Sequence, residues 1–448
     1  MYRAHTILST RATLAIVLLL VPAALVCAGE SADLPAASPE NSTMPAFCFA
    51  PGTPLDVVAR ASERAERLYE KSSLTPPSTL KFEIANRWFS TATDGSGLSQ
   101  GDPTTLTWSV VPDGTSIGSG VGEPAGPSNL RAFLNGIYGD EATWLAVFQQ
   151  VFDRWGELTG ITYVYEPSDD GATLAGLGGV LGVRGDIRIG GHSIDDNYGI
   201  LAYNYYPNNG DMVIDTPDSF YYNTSSNSLK LRNTVAHEHG HGLGLAHSCP
   251  ISQTKLMEPY LTTLFDGPQH DDILATNRSY GDRFEDNDTS GAAAPLGTFG
   301  STTEANLSID DNTDTDVYGF IVDAGAAVDA TITPMGATYL SGPQNGDGSC
   351  SAGTNYNSLI VQDIEVRVLD MNGSTVLAAA DLNGVGQPEV LDDIALSSGA
   401  GTYYVEITGD ATDVAQLYRL SMTVSPSNQI FTDGLESGGT ETWSSSVP

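Results

Sequence analysis

Residues 237–247 read His-Glu-His-Gly-His-Gly-Leu-Gly-Leu-Ala-His. The apolar-to-neutral residues before them predict a helix that runs into this sequence and places His237 and His241 one turn apart on one face. Two imidazoles at that spacing can bind one metal ion. Gly244 favours the end of the helix, because glycine adopts the left-handed cap conformation at low cost. The chain can then turn back and bring His247 to the same ion.

The donor set indicates the kind of metal site. Three histidines leave the fourth position of a tetrahedral Zn2+ open for water, which is typical of catalytic rather than structural zinc. Glu238 would lie beside that water as the general base. His239 lies roughly 200° around the helix from His237, given the 3.6-residue period, so we expect a packed or exposed side chain and not a ligand.

The spacing HExxHxxGxxH resembles the extended zinc motif of the metzincin proteases. Ten residues after His247, Met257 occupies a turn context, and in metzincins a methionine turn forms the hydrophobic floor beneath the zinc. Ser248 resembles the matrixin branch (peptidase M10), because serralysin-like enzymes carry proline there. This resemblance implies a zinc metalloendopeptidase that acts on proteins or peptides, with Glu238 as general base.

Two alternatives come from other classes of protein. The first is a zinc-binding pseudoprotease or adhesin that acts through a C-terminal β domain, against which the intact Glu238 and three histidines argue. The second is a purely structural zinc protein, which the open fourth position disfavours. Cleavage specificity is expected to depend on residues 258–265, because matrixins line the specificity pocket with the segment after the methionine turn.

Composition restricts the cellular setting and the partners. A net charge of −36 and an isoelectric point near 4.1 argue against nucleic acid and anionic membrane surfaces as partners. Residues 1–28 combine Arg3 and Arg11 with an apolar run, which predicts a secretory signal. Cys27 leaves lipid attachment as an alternative, although Val26 is bulky for it. We therefore expect a secreted or periplasmic protein without a membrane anchor; the oligomeric state is left open.

The chain is long enough for two or three domains. After the signal, residues 29–79 predict a prosegment or flexible arm with a helical patch near 55–68. Residues 80–282 predict an α+β metzincin-type zinc protease domain with a twisted mixed sheet and long helices. Residues 283–426 predict an all-β sandwich, and residues 427–448 a polar tail.

Periodicity within residues 80–282 identifies the main elements. Strands are predicted at 105–111 and 160–165 by alternation and β-propensity. Between them an apolar stripe at helical spacing predicts a long core helix, formed by Trp144, Phe148, Val151, Trp155 and Leu158. Two further strands, 186–189 and 210–215, resemble those that frame the structural metal sites of matrixins.

The resemblance extends only partly to those metal sites. Tyr203 and Val213 stand where the family places histidine ligands, so we expect no structural zinc. Asp195, Asp215 and Asp218 match family carboxylates and are the candidates for one structural Ca2+, since calcium prefers oxygen ligands.

Three cysteines remain after removal of the signal, so at most one disulfide can form within the chain. A bridge from Cys249 would fix the loop between His247 and Met257, but the sequence does not identify its partner. Cys48 suggests comparison with the propeptide cysteine that caps the zinc in matrixins. The arginine and glycine that flank that cysteine in the family are missing, so the comparison rests on Cys48 alone.

The C-terminal region shows the alternation of a half-buried antiparallel sheet in residues 364–368 and 418–424. The stretches 283–288, 316–318 and 401–405 resemble the pre-peptidase C-terminal domain of secreted bacterial proteases. This resemblance implies substrate or surface attachment, assistance in secretion, or removal during maturation. A passive stabilising role is the alternative.

Gly240 and Gly242 lie inside the predicted zinc helix, where each costs about 1 kcal/mol of helix stability relative to alanine. We therefore expect close packing against a neighbouring strand or loop at these two positions.

Overall fold

The computed structural model describes residues 44–66 and 84–426, apart from Ala175, Tyr198 and Ala411. The predicted signal sequence and the predicted polar tail lie outside the described residues. Nowhere in the described part of the chain is a helix both long and apolar enough to cross a membrane.

The helices lie in the first part of the chain. They are α1 (Leu55–Glu66), α2 (Leu130–Tyr138), α3 (Glu141–Gly156), α4 (Ser225–Gly242) and α5 (His270–Tyr280), with a short 3-10 helix at Ser219–Tyr222. The strands before the last helix are β1 (Ala46–Phe49), β2 (Ser90–Thr91), β3 (Gly95–Ser96), β4 (Thr104–Val110), β5 (Ser116–Ile117), β6 (Gly126–Pro127), β7 (Ile161–Tyr165), β8 (Ile187–His192), β9 (Ile200–Asn204), β10 (Met212–Asp215) and β11 (Ser248–Cys249).

A six-stranded mixed sheet organises this part, with the strand order β1-β9-β10-β8-β4-β7. Strands β10, β8, β4 and β7 are parallel to one another, and β9 is antiparallel to both of its neighbours. The predicted strands near 105–111, 160–165, 186–189 and 210–215 correspond to β4, β7, β8 and β10. Strands β1 and β9 were not predicted.

Helix α3 packs on this sheet through the predicted apolar stripe. Its residues Trp144, Phe148, Val151 and Trp155 are buried, and the ring of Trp108 in β4 stacks on Phe152 at a centroid distance of 4.5 Å. Burying each such side chain stabilises the fold by about 1.5–3 kcal/mol. The sheet, α3 and α4 therefore share one hydrophobic core. This core holds α4, the helix that carries His237 and His241, in place.

In the part that the structure describes, residues 294–426, here called the β module, contain eleven strands joined by loops and turns. They are β12 (Ala294–Gly297), β13 (Ser301–Ile309), β14 (Thr315–Val322), β15 (Ala326–Met335), β16 (Thr338–Pro343), β17 (Thr354–Asn357), β18 (Ile364–Leu369), β19 (Val376–Ala380), β20 (Glu389–Ala395), β21 (Gly401–Gly409) and β22 (Gln416–Pro426).

Two sheets of the β module enclose a second core. One has the order β12-β14-β21-β18-β19, and the other has the order β13-β22-β15-β20. The predicted alternation is visible in β18, where Ile364, Val366 and Val368 are buried while the residues between them are half-buried. The C-terminal region is thus mostly β, as expected.

A small third sheet joins the two parts of the chain. Strand β11 directly follows His247 and pairs antiparallel with β16 of the β module, which in turn pairs with β17. The disulfide Cys249–Cys350 links the same two regions. A bridge from Cys249, which the sequence left open, is therefore present, and its partner is a residue 101 positions later in the β module.

Candidate metal centre

Helix α4 carries His237, Glu238 and His241, and it ends at Gly242. Gly244 then adopts a φ of +98°, and a Cβ atom on it would lie 1.7 Å from the backbone oxygen of Asn86. A residue without a side chain is therefore required at this turn, as the sequence indicated. The turn brings His247 back towards the two helical histidines.

Gly244→Ala is expected to lower the free energy of unfolding by about 2–5 kcal/mol. A left-handed backbone costs about 1–2 kcal/mol with a side chain, and overpacking adds about 1–3 kcal/mol. Gly114→Ala is the matched control, because its φ is +94° and its Cβ would meet no atom within 4 Å. Urea unfolding followed by tryptophan fluorescence measures both; equal losses would show that the contact with Asn86 is unimportant.

The three predicted ligands converge. The Nε2 atoms of His237, His241 and His247 lie 3.1–3.2 Å from one another. Each Nδ1 lies 2.7 Å from an oxygen, which belongs to Leu256, Leu245 and Gln344 respectively. An oxygen acceptor fixes the proton on Nδ1, so the three Nε2 lone pairs face one point.

This geometry fits zinc. Zn–N distances of about 2.0–2.1 Å in a tetrahedral site place neighbouring ligand nitrogens roughly 3.3 Å apart. Burial lowers the pKa of His237 to about 3 and that of His247 to about 4, which keeps both imidazoles neutral. Three neutral lone pairs at this distance repel one another unless a cation lies between them. The residues present therefore fit a metal ion.

Glu238 is fully buried beside this point. Its Oε1 accepts a hydrogen bond of 3.2 Å from the backbone N–H of Cys48, while its Oε2 has no hydrogen-bond partner among the described residues. Burial raises the pKa of Glu238 to about 8, although the hydrogen bonds from Cys48 oppose that shift. A carboxyl with a raised pKa and an unused oxygen is suited to accept and return a proton.

Met257 lies beneath the helix that carries the histidines. A Cβ atom on Gly240 would lie 2.4 Å from Met257 Sδ, and one on Gly242 would lie 2.9 Å from Asn204 Nδ2 in β9. Both glycines thus permit the close packing predicted from the sequence. The Asp272 carboxylate fixes the methionine turn, because it accepts the backbone N–H groups of Leu256 and Met257.

His239 points away from the other histidines. Its Nε2 lies 2.7 Å from the hydroxyl of Tyr163, and its ring packs edge-on against Phe152 and Trp155. It is a packed side chain, in agreement with its position on the helix.

A buried carboxylate, that of Glu123, lies beside Tyr203 and His192. Tyr203 donates a hydrogen bond of 2.9 Å to Glu123, and His192 Nε2 lies 3.4 Å from the same carboxylate. Although burial opposes it, the nearby His192 imidazole and hydrogen bonds from the N–H groups of Gly120 and Val121 lower the pKa of Glu123 to about 2. Glu123 belongs to no sequence motif, so the sequence did not identify it.

The calcium assignment stays a prediction. Burial raises the pKa of Asp215 to about 7, and the nearby charges of Asp195 and Asp218 add to that shift. All three carboxylates accept hydrogen bonds from backbone N–H groups: Asp215 from Ile194 and Asp195, Asp195 from Ile200, and Asp218 from Phe220. Within the described residues, they do not form a group of three ligand atoms within 4.8 Å, whereas Glu285, Asp314 and Asp316 do.

Strand β1 covers the metal centre from the open edge of the sheet. On one side it pairs antiparallel with β9. On the other side, Phe49 exchanges backbone hydrogen bonds of 3.0 Å with Pro259 and Leu261. Cys48 is a buried free cysteine, and its Sγ lies within 4.8 Å of ligand atoms of His237 and Glu238. Residues 46–49 are therefore an ordered strand, not part of a flexible arm.

Comparisons with known proteins agree with the motif. The family model for matrixin (Peptidase M10) matches residues 139–281. Metalloendoproteinases 4-MMP and 2-MMP of Arabidopsis thaliana are 30% and 27% identical over 106 and 154 residues, which cover 23% and 32% of this chain. The hatching enzyme of Paracentrotus lividus is 31% identical over 112 residues, or 25% of this chain. The matches span only 30%, 38% and 18% of these relatives.

Solved structures match part of this chain, with low scores. The pre-peptidase C-terminal domain of collagenase from Bacillus anthracis is 15% identical with a TM-score of 0.17, and 30% of this chain covers 94% of that chain. The lysozyme inhibitor PliG of Aeromonas hydrophila is 12% identical with a TM-score of 0.19, over 30% of this chain and 97% of that chain. Scores this low support no inference about function. Residues 139–281, by contrast, match the matrixin family model, in agreement with the motif.

Proposed function

We propose that this chain is a secreted zinc endopeptidase of the matrixin type, with His237, His241 and His247 as zinc ligands and Glu238 as general base. The observation that carries the proposal is the convergence of three Nε2 lone pairs beside a buried carboxyl with one unused oxygen. Protein or peptide substrates follow from the peptidase family.

Each residue has a distinct role in peptide hydrolysis. Zinc, when bound, supplies the Lewis acidity that makes water nucleophilic at neutral pH and polarises the scissile carbonyl. Glu238 accepts the proton of that water at its free Oε2 and returns it to the leaving amine. The buried surroundings exclude bulk water and strengthen these electrostatic interactions. Met257 packs beneath the helix, and the backbone carbonyls that accept from Nδ1 of His237 and His241 keep these two histidines in place.

We also propose that the N-terminal segment, residues 44–66, keeps the protease latent. An extended substrate would bind by adding a strand to the edge of β9 that does not pair with β10. Strand β1 already occupies that edge. Its backbone also forms hydrogen bonds with Pro259 and Leu261, and the N–H of Cys48 donates to Glu238 Oε1. Helix α1 fixes it, since Arg64 donates a hydrogen bond of 2.6 Å to Val121 O. Activity then requires that this segment leave the cleft.

Metal replacement tests the proposed activity. Hydrolysis of casein by the processed protein is expected to stop with o-phenanthroline and to return when zinc is added. Hydrolysis that persists at full zinc removal would exclude a zinc peptidase.

Removal of calcium tests the proposed calcium site. EGTA at fixed free zinc is expected to lower the midpoint temperature of thermal unfolding. An unchanged midpoint would rule out structural calcium at Asp195, Asp215 and Asp218.

A further inference from the structure

The three histidines of the metal centre are not held by equivalent partners. The Nδ1 atoms of His237 and His241 donate to backbone carbonyls of the matrixin domain itself. His247 Nδ1 donates instead to a side chain, Gln344 Oε1, which lies 97 residues later in the sequence. Gln344 directly follows β16 of the β module. One of the three ligands is therefore oriented by a different part of the chain.

The orientation of the Gln344 amide is fixed by its other end. Gln344 Nε2 donates a hydrogen bond of 2.8 Å to the carbonyl of Gly348. Since only the amide nitrogen can donate, the amide oxygen must face His247. An oxygen in that place accepts the Nδ1 proton and directs the Nε2 lone pair of His247 to the metal.

The backbone around Gln344 is anchored to the loop of residues 247–257. Ser248 and Cys249 pair with Pro343 and Gly342, and the disulfide joins Cys249 to Cys350. At the other end of the loop, Lys255 Nζ donates a hydrogen bond of 3.2 Å to Leu340 O. These contacts restrict Gln344 to the neighbourhood of His247, so the hydrogen bond is part of an extended interface.

We infer that Gln344 is a positioning residue of the metal centre, and that the β module thereby completes the site rather than serving as a detachable accessory. The inference rests on the proposed zinc function. It assigns a role in metal retention to a segment outside the matrixin domain. A hydrogen-bond partner of a ligating histidine typically contributes 10–100-fold to metal affinity.

The test uses the full chain with Gln344→Leu, which removes the acceptor at similar size. Its zinc dissociation constant, measured by competition with a chelator of known affinity, is expected to rise about 10–100-fold. Gln344→Glu keeps an acceptor and is expected to retain most of the affinity. Gln387→Leu is the control, because Gln387 is exposed in the same module and lies outside the interface.

The outcomes separate this inference from the proposed function. A zinc dissociation constant of Gln344→Leu within twofold of the Gln387→Leu value would overturn the role of Gln344, whatever the activity. Zinc binding by the processed protein without any hydrolysis would instead overturn the peptidase proposal and leave the Gln344 result standing. Circular dichroism of the metal-free variants checks folding. If Gln344→Leu does not fold, Gln344→Asn replaces it in the comparison. Its side chain is shorter by one methylene, so the acceptor lies farther from His247. The zinc dissociation constant is again expected to rise.

Discussion

Replacing Glu238 with glutamine is expected to lower kcat/KM of the processed enzyme by a factor of about 10²–10⁴ while zinc stays bound. Glutamine has the shape of glutamate and can still accept the hydrogen bond that Glu238 Oε1 receives from Cys48 in the unprocessed chain. It cannot take a proton from water. The loss should therefore fall on kcat, because the zinc ligands and the cleft are unchanged.

Peptide hydrolysis and zinc content are measured on the same preparations. Glu157→Gln is the control, since Glu157 is an exposed carboxylate paired with Arg154 away from the centre. We expect wild-type values for it. If Glu238→Gln kept the wild-type kcat/KM with full zinc content, Glu238 would not be the general base.

Phe49→Pro is expected to raise the activity of the unprocessed chain at least tenfold. Proline has no N–H, so the 3.0 Å hydrogen bond from Phe49 to Pro259 O is lost, and the ring is poorly tolerated within a strand that pairs on both edges. Phe49 is also 1% exposed, so its removal deprives β1 of aromatic packing. Both changes weaken the hold of β1 on the cleft.

Leu55→Pro is the matched control in the same segment. Leu55 is the first residue of α1 and is 67% exposed, a position where proline is well tolerated. Hydrolysis of a quenched fluorescent peptide by both unprocessed variants gives the comparison. Equal activity in the two would mean that β1 does not obstruct the cleft.

Local patterns predicted the part of the fold that local chemistry determines. The offsets of His237, Glu238, His241 and His247 follow from one helix and one glycine turn, so the sequence alone places them at a common point. The stripe of α3 predicted its buried face for the same reason. Even Gly240 and Gly242 were informative, because an unfavourable residue in a helix requires a compensating contact.

Contacts between distant parts of the chain could not be predicted in this way. Gln344 and Glu123 have no motif, and each acquires its role only from residues that folding brings near. The partner of Cys249 was undetermined, since three cysteines allow several pairings. Strand β1 is only four residues long and is flanked by Ser, Pro and Ala, a composition that reads as an arm. Residues 46–49 form a strand because they pair with β9, and their own sequence does not predict that strand.

The position of β1 has a consequence for how this protein can diverge. Its side chains alternate, with Cys48 in the core of the metal-site helix and Phe47 and Phe49 in a separate cluster with β9. If β1 is the inhibitor, the surface that selects substrates is also the surface that restrains the unprocessed enzyme. A mutation that widens the cleft for a new substrate also weakens the binding of β1 in that cleft. Specificity and latency would then evolve together, with each change in the cleft matched by a compensating change in residues 46–49.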